Sequence, residues 1–350
     1  MSAVLEAGKP TSLSVRALRR LADTARVASP VARFLAARVT HGKFPLAVTL
    51  CLTNRCNFRC VYCHMPGTER DEMSTDEWKG VIDEFRTAGM VRCSLMGGEP
   101  LLRDDVGEII AHLKAHRIHS AMNTNGWFVE EKLDDVARLD LVCVGLDGPA
   151  EVHDAQRKRK GSFDRAIRAI QLLVGRGVPV VTMTPVTPRN VDLIDEVLKM
   201  ARELGFGAGF QIEHDAECDV RRPIAPDLDD NRLAALARHL LVRRQEGWPV
   251  AVSRTFLETF ERRGRRMLSS CSECRVPRYS CMVRPDGMVV PCFLTQHQGP
   301  MASGRQHGFL RAFMDVQQPT DSGCSSQPLM EMNFVLGLRP EAIVNALILT

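Results

Sequence analysis

Three cysteines, Cys56, Cys60 and Cys63, stand close together in the stretch LTNRCNFRCVYCHMPG of a 350-residue chain. Thiolates are the soft ligands of zinc and of iron–sulfur clusters. A closed structural zinc site takes four ligands, usually as two paired knuckles, and no fourth follows nearby. Three thiolates around a four-iron cluster leave one iron without a protein ligand, and an open metal position is where a substrate or cosubstrate can bind. A second group lies far along the chain: Cys271, Cys274, Cys281 and Cys292 in CSECRVPRYSCMVRPDGMVVPC, then a solitary Cys324 in GCSSQP. There RPDGMVV reads as a hairpin turned by Asp286 and Gly287, which places Cys281 and Cys292 near its two ends. Zinc held by four of these thiolates is the alternative to iron.

Such ligands need a frame. From residue 46 the chain alternates short apolar runs with amphipathic segments. The runs predict strands over 46–52, 91–96, 119–123, 141–146, 178–186 and 209–213. Helical periods fall over 104–115, 130–137, 162–175 and 191–204, and an earlier one opens at STDE, where Ser74 and Glu77 fit a capping box, and ends near Gly89. Strands apolar on both faces, alternating with helices, imply a parallel sheet covered by helices. Pattern alone does not separate a β/α barrel from a doubly wound open sheet. In either fold the loops after the strands' carboxyl ends carry function. The three cysteines follow the first strand, GGEP (97–100) the second, NTNG (123–126) the third and DGPAEVHD (147–154) the fourth. The reduced Cys51, Cys93 and Cys143, within apolar strands, behave as small core residues.

A composition of 45% hydrophobic and 25% charged residues describes a soluble globular chain. No uninterrupted apolar run approaches the roughly 20 residues of a membrane span. A net charge of +4 is too small to imply nucleic acid. MSAVLEAGKP lacks the apolar core of a signal peptide, so the expected compartment is the cytoplasm, where twelve cysteines suggest metal before disulfides. Residues 12–42 have helical period, several arginines and one acid, Asp23. They predict a helix lying on the barrel with solvated arginines; a surface-docking element and a transit peptide share that composition. The tail EMNFVLGLRPEAIVNALIL reads as a closing helix over apolar surface.

CNFRCVYC, followed by GGEPLLR and TNG at matching strand ends, resembles the CxxxCxxC signature of the radical S-adenosylmethionine (SAM) superfamily, down to the aromatic Tyr62 before the third cysteine. The resemblance covers roughly residues 46–215. It implies an α/β fold, a partial (β/α)6 barrel with a small cysteine-rich C-terminal extension. It also implies a 4Fe–4S cluster on Cys56, Cys60 and Cys63, with SAM chelating the unique iron. Reductive cleavage of SAM would give a 5'-deoxyadenosyl radical that abstracts a substrate hydrogen. Gly97, Gly98, Glu99 and Pro100 match the motif that meets the SAM amino group, chiefly through backbone. Tyr62 matches the residue whose backbone lies near the adenine. Asn123 and Asn125 are placed for the ribose or methionyl part, although an Asn-Gly turn also accounts for Asn125. Asp147 and Arg157 resemble cosubstrate-binding positions, with surface charge the alternative for Arg157.

The GxxxxC spacing from Gly287 to Cys292 resembles the start of the SPASM or twitch extension, whose full pattern is absent. One auxiliary iron–sulfur cluster is the most that the region supports, with Cys274, Cys281, Cys292 and Cys324 as ligands, or Cys271 in place of one. The implied division is a basic helical segment (1–44), the barrel core (45–215), a helical linker (216–265) and the iron–sulfur extension with its closing helix (266–350). The expected activity is radical chemistry on a small metabolite, lipid or sugar, fed by an electron donor such as flavodoxin or ferredoxin. The alternatives are a maturase acting on a ribosomally made peptide and, in another class, a non-catalytic scaffold with a C-terminal zinc site.

Overall fold

In the computed structural model the described residues are 32–40, 42–63, 65, 71–211, 228–264, 267–268, 273–295, 300–317, 324 and 326–348. Six parallel strands, β1 (Ala47–Thr53), β2 (Arg92–Gly97), β3 (His119–Thr124), β4 (Leu141–Gly145), β5 (Val180–Pro185) and β6 (Gly207–Gln211), follow one another across the sheet in chain order. A doubly wound sheet reverses its strand order at a switch point. Here the order runs from β1 to β6 without reversal, which is the winding of a partial barrel.

After α1 (32–39), the helices that cover the barrel are α2 (Thr75–Ala88), α3 (Val106–Ala115), α4 (Leu133–Val136), α5 (Ala150–Arg157), α6 (Ser162–Gly175) and α7 (Ile194–Leu204). The opening of α2 is the expected capping box. Ser74 Oγ accepts from the Glu77 backbone N–H, the Glu77 side chain accepts from the Ser74 N–H, and Gly89 ends the helix at φ 110°. Alternate strand residues face this layer: Leu50, Leu52, Cys93 and Leu95 share one core with Trp78, Phe85, Ile109 and Leu113. The other set, among them Thr49, Ser94, Asn123 and Cys143, therefore faces the barrel interior.

The chain continues through α8 (Asp230–Gln245), α9 (Arg254–Arg263) and α10 (Val276–Tyr279) into β7 (Ser280–Val283), β8 (Met288–Val290) and β9 (Ala302–Ser303), then α11 (Gly304–His307), α12 (Phe309–Asp315), α13 (Gln327–Leu336) and α14 (Pro340–Ile348). The expected Asp286–Gly287 hairpin joins β7 to β8, with Gly287 at φ 81°. Sequence reading did not foresee that β7 would pair with β1 in parallel, Ala47 opposite Ser280 and Leu50 opposite Val283. The cysteine-rich extension thus continues the barrel's own sheet to nine strands.

Other expectations are corrected. The fourth helical segment shrinks to the single turn α4, and α5 occupies part of what read as a loop. The tail is two helices, because Leu338 takes φ 58° between α13 and α14. That break lets α14 turn back onto α9. Glu341 in its first turn accepts from the Arg254 and Thr255 backbone N–H groups (3.0 and 2.9 Å) and from Thr255 Oγ1 (2.8 Å). It caps a helix distant in sequence. Glu341→Gln keeps the size but points an amide at those donors, so it should cost about 1–3 kcal/mol, read as a lower denaturation midpoint with the m-value unchanged.

Candidate active site

The sequence-predicted residues meet at the carboxyl end of the barrel. Straight after β1 the cysteine loop is laced to the end of β2 by backbone: Gly98 N–H donates to Thr53 O (2.8 Å) and Glu99 N–H to Arg55 O (2.9 Å). A Cβ on Gly97 or Gly98 would stand 2.2 Å from the oxygen of Thr53 or Arg55 respectively. Both glycines are therefore demanded by the close approach of the two loops.

Glu99 and Pro100 are buried. The Glu99 carboxylate ties GGEP to TNG, accepting from Leu101 N–H (3.1 Å), Thr124 Oγ1 (2.8 Å) and Asn125 N–H (2.7 Å). Burial pushes its pKa up to about 7 against those hydrogen bonds. Asn125 then reaches the cysteine loop. Its Nδ2 donates to Asn57 Oδ1 (2.7 Å) and lies 4.0 Å from Cys56 Sγ, while its Oδ1 accepts from Trp127 N–H, as an Asx turn does. Asn123 is exposed, level with Cys143 on the inner face.

A fourth tie comes from the loop after β4. Asp147, fully buried, receives Arg157 in a two-pronged pair (Nε–Oδ2 2.9 Å, Nη2–Oδ1 2.6 Å) and the Tyr62 hydroxyl at 2.6 Å. Its own N–H donates to His153 Nδ1 (3.1 Å), and Val61 N–H donates to Gln156 O (2.8 Å). Asp147, Arg157 and Tyr62 are thus brought together with one another, and the cysteine loop is seated on α5. A Cβ on Gly145 would stand 2.3 Å from Arg157 Nη2, so that glycine makes room for the guanidinium. Sequence reading missed Asn57, His153 and Gly145. His153 and Arg157 were detectable as a polar pair at helical spacing before a basic run.

The donor set fits an iron–sulfur cluster. Burial raises the Cys56 thiol, as do the neighbouring Glu99 and Cys63. Burial takes Cys60 up to about 11, with Cys63, Asp147 and Cys56 adding to it and Arg157 opposing. Thiols held this way favour their anionic form only beside a cation such as a metal. Phe58 N–H points at Cys56 Sγ (3.4 Å), and Asn57 Nδ2 is a buried donor without a protein partner among the described residues.

Of the second cysteine group, Cys274 and Cys292 lie at the other end. β7 runs with β1 and β8 returns, so Cys292, after β8, sits at the amino ends of the strands. Cys274 precedes α10 and β7 on the same side, and Cys324 is joined to Leu268 by backbone hydrogen bonds of 3.2 and 3.3 Å. Cys281 differs from expectation: it is buried in β7 level with Val48, in the helix-facing core beside Cys93 and Lys43. Alternation along a four-residue strand turns it away from the interior. Cys143 and Cys51 face inward rather than into the helix layer, Cys51 in a small cluster with Met65, Met96 and Met282. Cys271 lies outside the described residues.

Removing one partner of the buried pair exposes its importance. Arg157→Gln leaves buried Asp147 without its cation, a loss of about 3–5 kcal/mol, to be read as a fall in denaturation midpoint together with lower retention of iron. His153 is buried and held neutral, its pKa lowered to about 4 by burial first and by Arg157. A lowered pKa in the fold gives stability that is complete above the unfolded value of about 6.5 and is lost as pH falls towards 4. His153→Gln should flatten that acid limb by up to about 3 kcal/mol, measured as denaturation midpoints between those pH values.

Comparison with known proteins agrees with this geometry. A family model described as the radical SAM superfamily matches residues 50–206. The chain is 30% identical over 304 residues to the mycofactocin maturase MftC of Mycolicibacterium smegmatis, covering 81% of this chain and 75% of that protein. It is 31% identical over 159 residues to the Fe-coproporphyrin III synthase of Methanosarcina barkeri, covering 43% and 40%. Streptococcus suis SuiB, solved bound to its precursor peptide SuiA, superposes with a TM-score of 0.64 at 15% identity over 90% of this chain and 73% of that one, a likeness of fold. The chain belongs to the radical SAM superfamily, whose cofactors are a 4Fe–4S cluster and SAM, and carries a SPASM/twitch-like extension.

Proposed function

We propose that the chain is a maturase that modifies a peptide by radical chemistry, the alternative that sequence offered beside a small metabolite, lipid or sugar. One observation carries this reading. The likeness to a maturase runs through 81% of the chain, whereas the likeness to the porphyrin enzyme covers 43%. The alternative of a scaffold without catalysis has the intact triad against it.

Cys56, Cys60 and Cys63 would hold the cluster, with the Gly97–Pro100 backbone beside the SAM amino group and Asn123 and Asn125 near its ribose or methionyl part. When bound, cluster and SAM supply the 5'-deoxyadenosyl radical. The chain's own residues do the rest. Glu99 and Asn125 hold three loops in one register, the Asp147–Arg157 pair holds the cysteine loop down, and the enclosed barrel keeps water from the reacting carbon. The auxiliary ligands we assign are Cys274, Cys292, Cys324 and Cys271, since Cys281, level with Val48 in β7, points with that strand face toward the helices. Flavodoxin or ferredoxin would supply the electron.

Reduced, reconstituted enzyme given SAM and synthetic peptides encoded beside its gene should form 5'-deoxyadenosine and shift the mass of one peptide in step with it. Formation of Fe-coproporphyrin III from an iron porphyrinoid precursor, with every peptide unchanged, would transfer the assignment to the porphyrin reading.

A further inference from the structure

Among the described residues, the inward-facing strand positions carry a single full charge, and it is at the foot of the barrel. Cys93 and Leu95 of β2 lie in the helix-facing core, which puts Arg92 and Ser94 on the inner face. Ala47 pairs with Arg92 and Arg92 with His119, so these three stand side by side at the amino ends of β1, β2 and β3. Above them come Thr49, Ser94 and Ala121. Going round the inward positions of β1 to β7 there is no acidic side chain and no second Lys or Arg.

Arg92 is partly buried, desolvation lowers its pKa, and its guanidinium makes no hydrogen bond or ion pair among the described residues. Both ring nitrogens of His119 are buried without a partner there. The nearby anion Asp140 is committed elsewhere: its Oδ1 holds Lys114 at 2.6 Å, and Oδ2 accepts from Ser120 N–H and Oγ. A desolvated cation without a counter-ion destabilises its own fold, and arginine is the side chain suited to binding a carboxylate with two parallel hydrogen bonds.

We propose that Arg92 and His119 form a carboxylate-binding subsite at the foot of the barrel, which anchors the substrate by a terminal or side-chain carboxylate. The peptide source of that carboxylate rests on the maturase reading above. The distance suits it. From the level of Ala47 to that of Thr53, where the cysteine loop begins, β1 rises about 20 Å, and the arginine side chain and SAM would shorten the gap to a few residues of extended peptide.

The test uses anaerobic holoenzyme with SAM, thermal unfolding as the readout, and three probes at matched ionic strength: acetyl-triglycine, its C-terminal amide, and propionate. The free acid should raise the midpoint, with the amide weaker by about tenfold in concentration. Arg92→Met should lose this response while its ligand-free midpoint rises, because an unpaired cation has been removed; Arg92→Lys should keep a reduced response. An equal effect of amide and acid would overturn the subsite, as would a response surviving in Arg92→Met. Loss of iron in Arg92→Met would overturn it too, by giving the guanidinium to the cysteines at that end. A response to propionate without one to acetyl-triglycine supports the subsite and counts against the peptide reading alone.

Discussion

Beneath the cysteine loop sits a carboxylate with no exposure to water, and most of the active end of the barrel is arranged around it. Asp147 is tolerated there because Arg157 meets both its oxygens while Tyr62 and a backbone contact to His153 complete its surroundings. The pair joins the loop after β4, helix α5 and the loop that carries Cys56, Cys60 and Cys63. A cluster-binding loop has few apolar residues with which to hold itself, so its position must be fixed by polar ties to rigid elements. Glu99 performs the same task between the neighbouring strands, where its carboxylate spans the loops after β2 and β3.

The other constraint is the sheet itself. Because β7 lies parallel to β1 and β8 returns beside it, Cys274 and Cys292 are fixed at the amino ends of the strands while the triad is fixed at the carboxyl ends. One continuous sheet thereby holds two thiol groups at opposite mouths of a single interior, whose inward strand positions carry one full charge, Arg92, among the described residues. That interior is where a substrate would lie, touched from above by the reactive centre and from below by Arg92.

Sequence made a covered parallel sheet legible because runs apolar on both faces, spaced at regular intervals by helical segments, suit little else, and the carboxyl-end loops then followed from parallel topology; the barrel winding rested on the family resemblance. The triad and GGEP were legible for the same reason, since their spacing has a chemical purpose. What escaped was long-range pairing. Nothing local in SCMV announces that it will pair with β1, and without that pairing the face on which Cys281 lies could not be assigned. The pairing of Asp147 with Arg157 was hidden differently: both residues were noted, but α5 between them read as loop, so their common face did not emerge. The tail read as one helix although Gly337 and Pro340 flank the break, the ordinary marks of a helix end, where Leu338 takes the left-handed conformation.

We propose that one barrel holds an iron–sulfur site at each end. Iron and acid-labile sulfide, measured anaerobically in a variant with Cys56, Cys60 and Cys63 all changed to Ala, address it most directly. About four irons per chain should remain, held by the cysteines at the foot. Iron near zero, with zinc in its place, would contradict the claim and reduce the C-terminal cysteines to a structural clasp.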